Sequence, residues 1–207
     1  NVNLISASGP DVTIIDVSND GNQKGIDIYQ CSNVDTTSII KGFTITNSDY
    51  QGIEVSGQSP KFIDMILVNN NSRGIHVHGQ AIDLHPLVLE NVFIDGNGLE
   101  FGTGACGIYV QEVSGLYWKD VTVANNGSNQ YHNIVSFFQV ENATIDFDNV
   151  KIINNITSLS SGSNTTVSID NCSNLSFENL LIVNNGNYNN YNGIDISSSC
   201  NNINFNS

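Results

Sequence analysis

The sequence predicts an all-β solenoid: a parallel β-helix of about seven coils with three short strands in each. Three observations carry this. A Gly-Ile-x-Val/Ile phrase returns along the chain, an Asn-terminated apolar phrase returns between its copies, and within both the apolar residues fall at every second position. That period belongs to a strand with one buried face. No stretch sustains a 3.6-residue period, so no helix is expected.

The first phrase reads GIDI at 25–28, GIEV at 52–55, GIHV at 74–77, GIYV at 107–110 and GIDI at 193–196, with NIVS (133–136) and TVSI (166–169) as degenerate copies. Successive copies start 22–33 residues apart. A unit of that length cannot bury its own apolar face, but stacked units can. The second phrase alternates around a polar pair, as in LVLENVFI (87–94), LYWKDVTV (116–123), IDFDNVKI (145–152) and LSFENLLI (175–182). Coils of this kind stack about 4.8 Å apart, the spacing of hydrogen-bonded strands.

Asparagine is the compositional anomaly, 33 of 207 residues. Its side chain competes for backbone hydrogen bonds inside a helix and tolerates the left-handed conformation of a sharp turn. Asn47, Asn70, Asn125, Asn154 and Asn184 close successive apolar phrases. They are expected at one corner as a ladder, each amide donating to one coil and accepting from the other. Gly96 holds the equivalent place in one coil, with Asn97 after it, so the ladder is expected to break there.

The segments SGPDVTIID (8–16) and SIIKGFTITN (38–47) resemble the right-handed parallel β-helix repeats of secreted and surface proteins of bacteria. The resemblance covers most of the chain. It implies a right-handed coil and an extracellular or cell-surface setting. It implies no single activity, because the same repeat serves pectate lyases, other polysaccharide lyases, epimerases and non-enzymatic adhesins. Both termini read as the middle of a repeat, so residues 1–207 are expected to form one domain, a piece of a longer β-helix lacking caps of its own. Open strand edges at its ends then invite end-to-end association or a neighbouring subunit.

The formal charge of −14 repels phosphate backbones and anionic membrane surfaces, which argues against nucleic-acid partners. No run of 18 apolar residues exists, so membrane insertion is not expected. The four cysteines match no zinc pattern. Register puts Cys172 and Cys200 on adjacent coils, within disulfide reach, and stacked free thiols are the alternative; Cys31 and Cys106 lie coils apart.

Read outward, the Gly-Ile strands build a column of Asp27, Glu54, His76, Tyr109, Ser168 and Asp195, beside a second of Tyr29, Ser56, His78 and Gln111. The one arginine, Arg73, precedes the His strand. Glu54, His76, Tyr109 and Arg73 on one face suit acid/base chemistry on a saccharide. Glu54 with His76 and His78 suits a divalent metal. A parallel sheet also carries polar residues outward for solubility alone.

Another outward column, Asp64, Glu90, Lys119, Asp148 and Glu178, precedes the Asn phrase. Like charges at coil spacing repel, and Lys119 relieves only its neighbours. Ca²⁺ bound between coils would stabilise the remainder, with a solvated acidic face as the alternative. The later coils carry longer loops bearing Phe101, Tyr131, Tyr188 and Tyr191. Such rings suit the apolar C–H faces of sugars and, with His76, His78 and Tyr109, form the expected ligand-binding set; plain Asn/Gly/Ser padding is the alternative.

Two functions remain open. A polysaccharide lyase normally gathers basic residues around a uronate carboxylate, whereas Arg73 and the lysines at 24, 41, 61, 119 and 151 form no cluster in the sequence. The polygalacturonase pattern is also missing, with VHG at 77–79 its nearest fragment. A non-catalytic surface, adhesive or filament-forming module needs only a stable rod with a decorated face. It is the preferred reading, with a glycan or a neighbouring surface-protein subunit as partner.

Overall fold

The computed structural model describes residues 1–18, 21, 23–31, 33–57, 59–79, 85–98, 106–127, 133–156, 165–186 and 192–206. Among them are nineteen strands and no helix. Every strand pairing is parallel. The sheets stack as a β-solenoid with about five turns of regular winding.

The first sheet, called here the site sheet, holds Ile26–Tyr29, Ile53–Ser56, Ile75–His78, Ile108–Gln111, Val135–Phe138, Thr165–Asp170 and Asn192–Ile196, stacked in chain order. Its register is the one the alternating phrase demands. Ile26, Ile53, Ile75, Ile108, Val135, Val167 and Ile194 succeed one another, and the middle five are completely buried. The glycines before Ile26, Ile53, Ile75 and Ile108 are set by close approach, whereas a Cβ on Gly193 would meet nothing within 4 Å. A Cβ on Gly74 would stand 2.9 Å from the Gly107 carbonyl oxygen and would collide with Ile94 Cγ2. A side chain there would force neighbouring windings apart.

The second sheet stacks Asn3–Ile5, Ile39–Lys41, Lys61–Val68, Leu87–Asp95, Gly115–Ala124, Val150–Ile153 and Leu180–Val183, with Ile14–Asp16, Thr44–Thr46 and Thr144–Asp148 alongside. A small third sheet pairs Ser173–Phe177 with Asn201–Phe205. The long strands bend at left-handed residues: Asp64, Asn91 and Asp120, then Asn149 and Asn179 in later windings, all with φ between 51° and 56°. Short polar side chains reach this region by bonding locally. Between windings the bends also bond to one another, Asn91 Nδ2 donating to Asp64 Oδ1 at 2.8 Å and Asn149 Nδ2 to Asp120 Oδ1 at 2.7 Å. The polar pair inside LVLENVFI is thus one outward side chain followed by a bend.

The asparagine corner exists and Asn70 stands in its ladder as expected, but in the other coils the ladder runs one residue later than the phrase suggests. Asn47, Asn125, Asn154 and Asn184 adopt positive φ, as do Asn69 and Gly96; they make the turn. The ladder is Asn70, Asn97, Asn126, Asn155 and Asn185. Each of the first four donates from its backbone N–H and from Nδ2 to the Oδ1 of the next, at 2.8–3.1 Å. Each Nδ2 also reaches a strand carbonyl of the preceding winding, such as Leu67 O from Asn97 and Ile94 O from Asn126. The ladder does not break at Gly96, because glycine serves the turn as well as asparagine does. Ser48 caps one end, its N–H donating to Asn70 Oδ1.

Inside the bore the second sheet contributes a column of Phe62, Leu89, Trp118 and Phe147. Trp118 stacks on Phe147 with ring centroids 4.9 Å apart, and Phe177 stacks on Phe205 at 5.0 Å. At the ends of the described stack the inward positions lose their cover. Leu4 is 45% exposed at one end, and Ile196 and Phe205 are 44% and 40% exposed at the other. Cys172 and Cys200 lie on adjacent windings with both thiols free, the Cys172 N–H donating to Cys200 Sγ at 3.3 Å.

Candidate functional site

The outward residues of the site sheet follow the expected columns. Asp27, Glu54, His76, Tyr109, Ser136, Ser168 and Asp195 stand in register, as do Tyr29, Ser56, His78, Gln111, Phe138 and Asp170. Because strand side chains alternate, Ile75 and Val77 hold the strand in the core while His76 and His78 point out. The parallel stack then lays Glu54 on one side of the histidines and Tyr109 on the other.

Glu54 Oε1 lies 3.2 Å from His78 Nε2 and 3.6 Å from His76 Nδ1. The two imidazole rings stack with centroids 4.8 Å apart, and Tyr109 meets His76 edge to face at 5.1 Å. Arg73 sits over the Tyr109 ring, 5.3 Å from its centroid. Lys24 completes the group: its Nζ lies 2.7 Å from Glu54 Oε2 and 2.9 Å from Asp27 Oδ2.

In the sequence Lys24 reads as one of several scattered lysines. The signal was present, since Lys24 precedes Gly25-Ile26 as Arg73 precedes Gly74-Ile75. Residues before the glycine share a column, so two of the chain's 6 basic residues fall beside the Glu54–His76 face.

The electrostatics follow from this crowding. Burial pushes the His76 imidazolium down to about 3, helped by the charge of Arg73 and opposed by Glu54. Burial also pushes the Glu54 carboxyl up, but the Lys24 hydrogen bond and charge, with the histidines, outweigh it and hold Glu54 below the usual range. The Tyr109 phenol is raised by burial against the opposing pull of Arg73. At neutral pH the site is therefore a carboxylate beside a neutral His76, with cations on its flanks.

The proposed calcium column is rearranged. Glu90, Lys119 and Asp148 do stand in register. Asp64 does not join them: Ile63 is opposite Glu90, and Asp64 occupies the left-handed bend in line with Asn91 and Asp120. There it accepts from Asn91 and pairs with Lys41 at 3.0 Å, so its charge meets a cation rather than standing in register with Glu90. Glu178 accepts from Asn206 Nδ2 at 3.2 Å. Among the described residues, the group of three or more His, Cys, Asp or Glu side chains close enough to share an ion is Glu54, His76 and His78, whose donor atoms all lie within 4.8 Å of one another. The expected aromatic loop residues Phe101, Tyr131, Tyr188 and Tyr191 lie outside the described residues.

Comparison with protein-family models, curated proteins and solved structures gives no match.

Proposed function

We propose that the chain is a non-catalytic module of an extracellular or cell-surface protein, a right-handed parallel β-helix of seven coils that offers the Glu54–His76–Tyr109 face to a glycan. The observation that carries this reading is the in-register column itself. Parallel strands hold a carboxylate, two imidazoles and a phenol at fixed spacing on a solvent face, without a flexible loop. Sugars are bound by such arrays of hydrogen-bonding groups beside aromatic rings, and Tyr29, 63% exposed in the neighbouring column, adds a ring to the same face.

The seven strands of the site sheet support seven coils. The strong right-handed bias of crossovers between parallel strands supports the handedness. The uncovered apolar positions at Leu4, Ile196 and Phe205 support end-to-end association.

Two features favour binding over turnover. A general base works best with a pKa near the operating pH, and His76 is pushed far below it. Glu54 is already engaged by Lys24 and the histidines. The second reading, a carbohydrate lyase or hydrolase, is favoured by the convergence of Lys24 and Arg73 on that face, cations that would hold a uronate carboxylate.

A glycan array run with the intact chain and with Tyr109→Ala separates these readings. The expected result is a glycan bound by the intact chain, lost in the variant, with no reducing or unsaturated ends released. Product release abolished by His76→Ala would establish the enzyme instead. An array with no bound glycan would remove the ligand class.

A further inference from the structure

We propose that Glu54, His76 and His78 together bind one borderline divalent cation of the zinc class, in a site built across two adjacent windings. This inference stands independently of glycan binding. Two imidazoles and one carboxylate are a donor set that zinc accepts with further positions left to water.

The distances fit. Zinc–nitrogen and zinc–oxygen bonds of about 2.0–2.1 Å at tetrahedral angles place donor atoms about 3.3 Å apart. The two edges from Glu54 Oε1 measure 3.2 Å to His78 Nε2 and 3.6 Å to His76 Nδ1. No strand needs to move, because all three residues stand in the fixed register of neighbouring strands.

Three further features point to a cation. His76 Nδ1 is buried and makes no hydrogen bond, although it faces the Glu54 carboxylate; a metal ion would give its lone pair a partner. Glu54 Oε2 is held by Lys24, which leaves Oε1 to ligate, and outer hydrogen bonds of this kind orient carboxylate ligands in metal sites. The His78 side chain is 32% exposed, so the ion has a path in and room for water.

The flanking cations decide which metal. Lys24 and Arg73 repel any cation held by charge alone, which disfavours calcium and magnesium, whose ligands are oxygens. An ion that bonds directly to imidazole nitrogen tolerates that field better, and zinc, copper, nickel and cobalt are of this kind.

The test uses the full chain stripped with chelator and titrated by calorimetry with ZnCl₂ alone and with CaCl₂ alone, no glycan being present. Co²⁺ substitution then reads the ligand set from its visible spectrum. Glu54→Gln and His78→Ala lie on the outer face, and retention of the fold is checked by Trp118 fluorescence. The expected result is one zinc per chain, no calcium at this site, and zinc affinity weakened in each variant by more than the ~10–100-fold that an outer-sphere partner is worth. Absence of a stoichiometric zinc would overturn the proposal. So would zinc held equally by both variants, which would move it to other donors such as Cys31 or His85. Because the readout needs no glycan, failure here and failure of the glycan reading are distinguishable.

Discussion

Replacing Asn126 with alanine tests the physical core of this fold. Asn126 is completely buried. Its Oδ1 accepts from the backbone N–H and the Nδ2 of Asn97, both at 2.9 Å. Its Nδ2 reaches Ile94 O, Ala124 O and Asn155 Oδ1 at 2.8–3.1 Å. Asn126→Ala leaves the Asn97 N–H without its acceptor, which costs about 1–3 kcal/mol, and removes two further donor hydrogens worth about 1 kcal/mol each. The expected loss is about 3–5 kcal/mol, large for a single side chain. The neighbouring Asn125 supplies the control. It is exposed, has a φ of 51°, and its side chain donates to Asp95 Oδ1. Asn125→Gly keeps that conformation open and should cost about 1 kcal/mol or less. Urea unfolding followed by far-UV circular dichroism reads both as midpoint shifts at constant slope. Equal losses at the two positions, or a larger loss at 125, would refute the assignment of the ladder to the buried residue.

Other consequences follow from the same geometry. Gly74→Ala should destabilise the chain by about 1–3 kcal/mol, because the added methyl meets the next winding's backbone. Gly193→Ala, where a Cβ would meet nothing within 4 Å, should be neutral or slightly stabilising when the two variants are compared by thermal melting. Trp118→Ala should cost about 3–5 kcal/mol. Trp118→Phe should cost clearly less, since the buried indole N–H has no acceptor to lose; denaturant midpoints compare them.

The pH dependence has a definite sign. His76 falls from an ordinary 6.5 to about 3 on folding, so the unfolded chain binds more protons between those values. Stability should therefore be lost as pH drops from about 6.5 towards about 3, with the lowered Glu54 acting in the same direction through its own acidic window. In metal-free buffer His76→Gln should flatten the upper part of that slope, and an unchanged slope would remove His76 from the cause.

Sequence periodicity alone determines the stacked-strand architecture and, in the site sheet, the buried face and the outward columns, because a period of two leaves one choice of buried face and parallel stacking carries that choice from strand to strand. It could not locate the ladder. Paired asparagines such as Asn125-Asn126 and Asn154-Asn155 differ only in backbone conformation, and one residue of each pair makes the turn while the next is buried. For the same reason Asp64 reads as an outward strand residue yet forms a bend, since a left-handed residue shifts the alternation without changing the residue type. Only the tertiary structure decided that Lys24 reaches Glu54 and that Glu54, His76 and His78 converge. Those contacts join side chains 22–30 positions apart in the chain, and their distances depend on rotamers and on the stacking of windings. A one-dimensional pattern specifies neither.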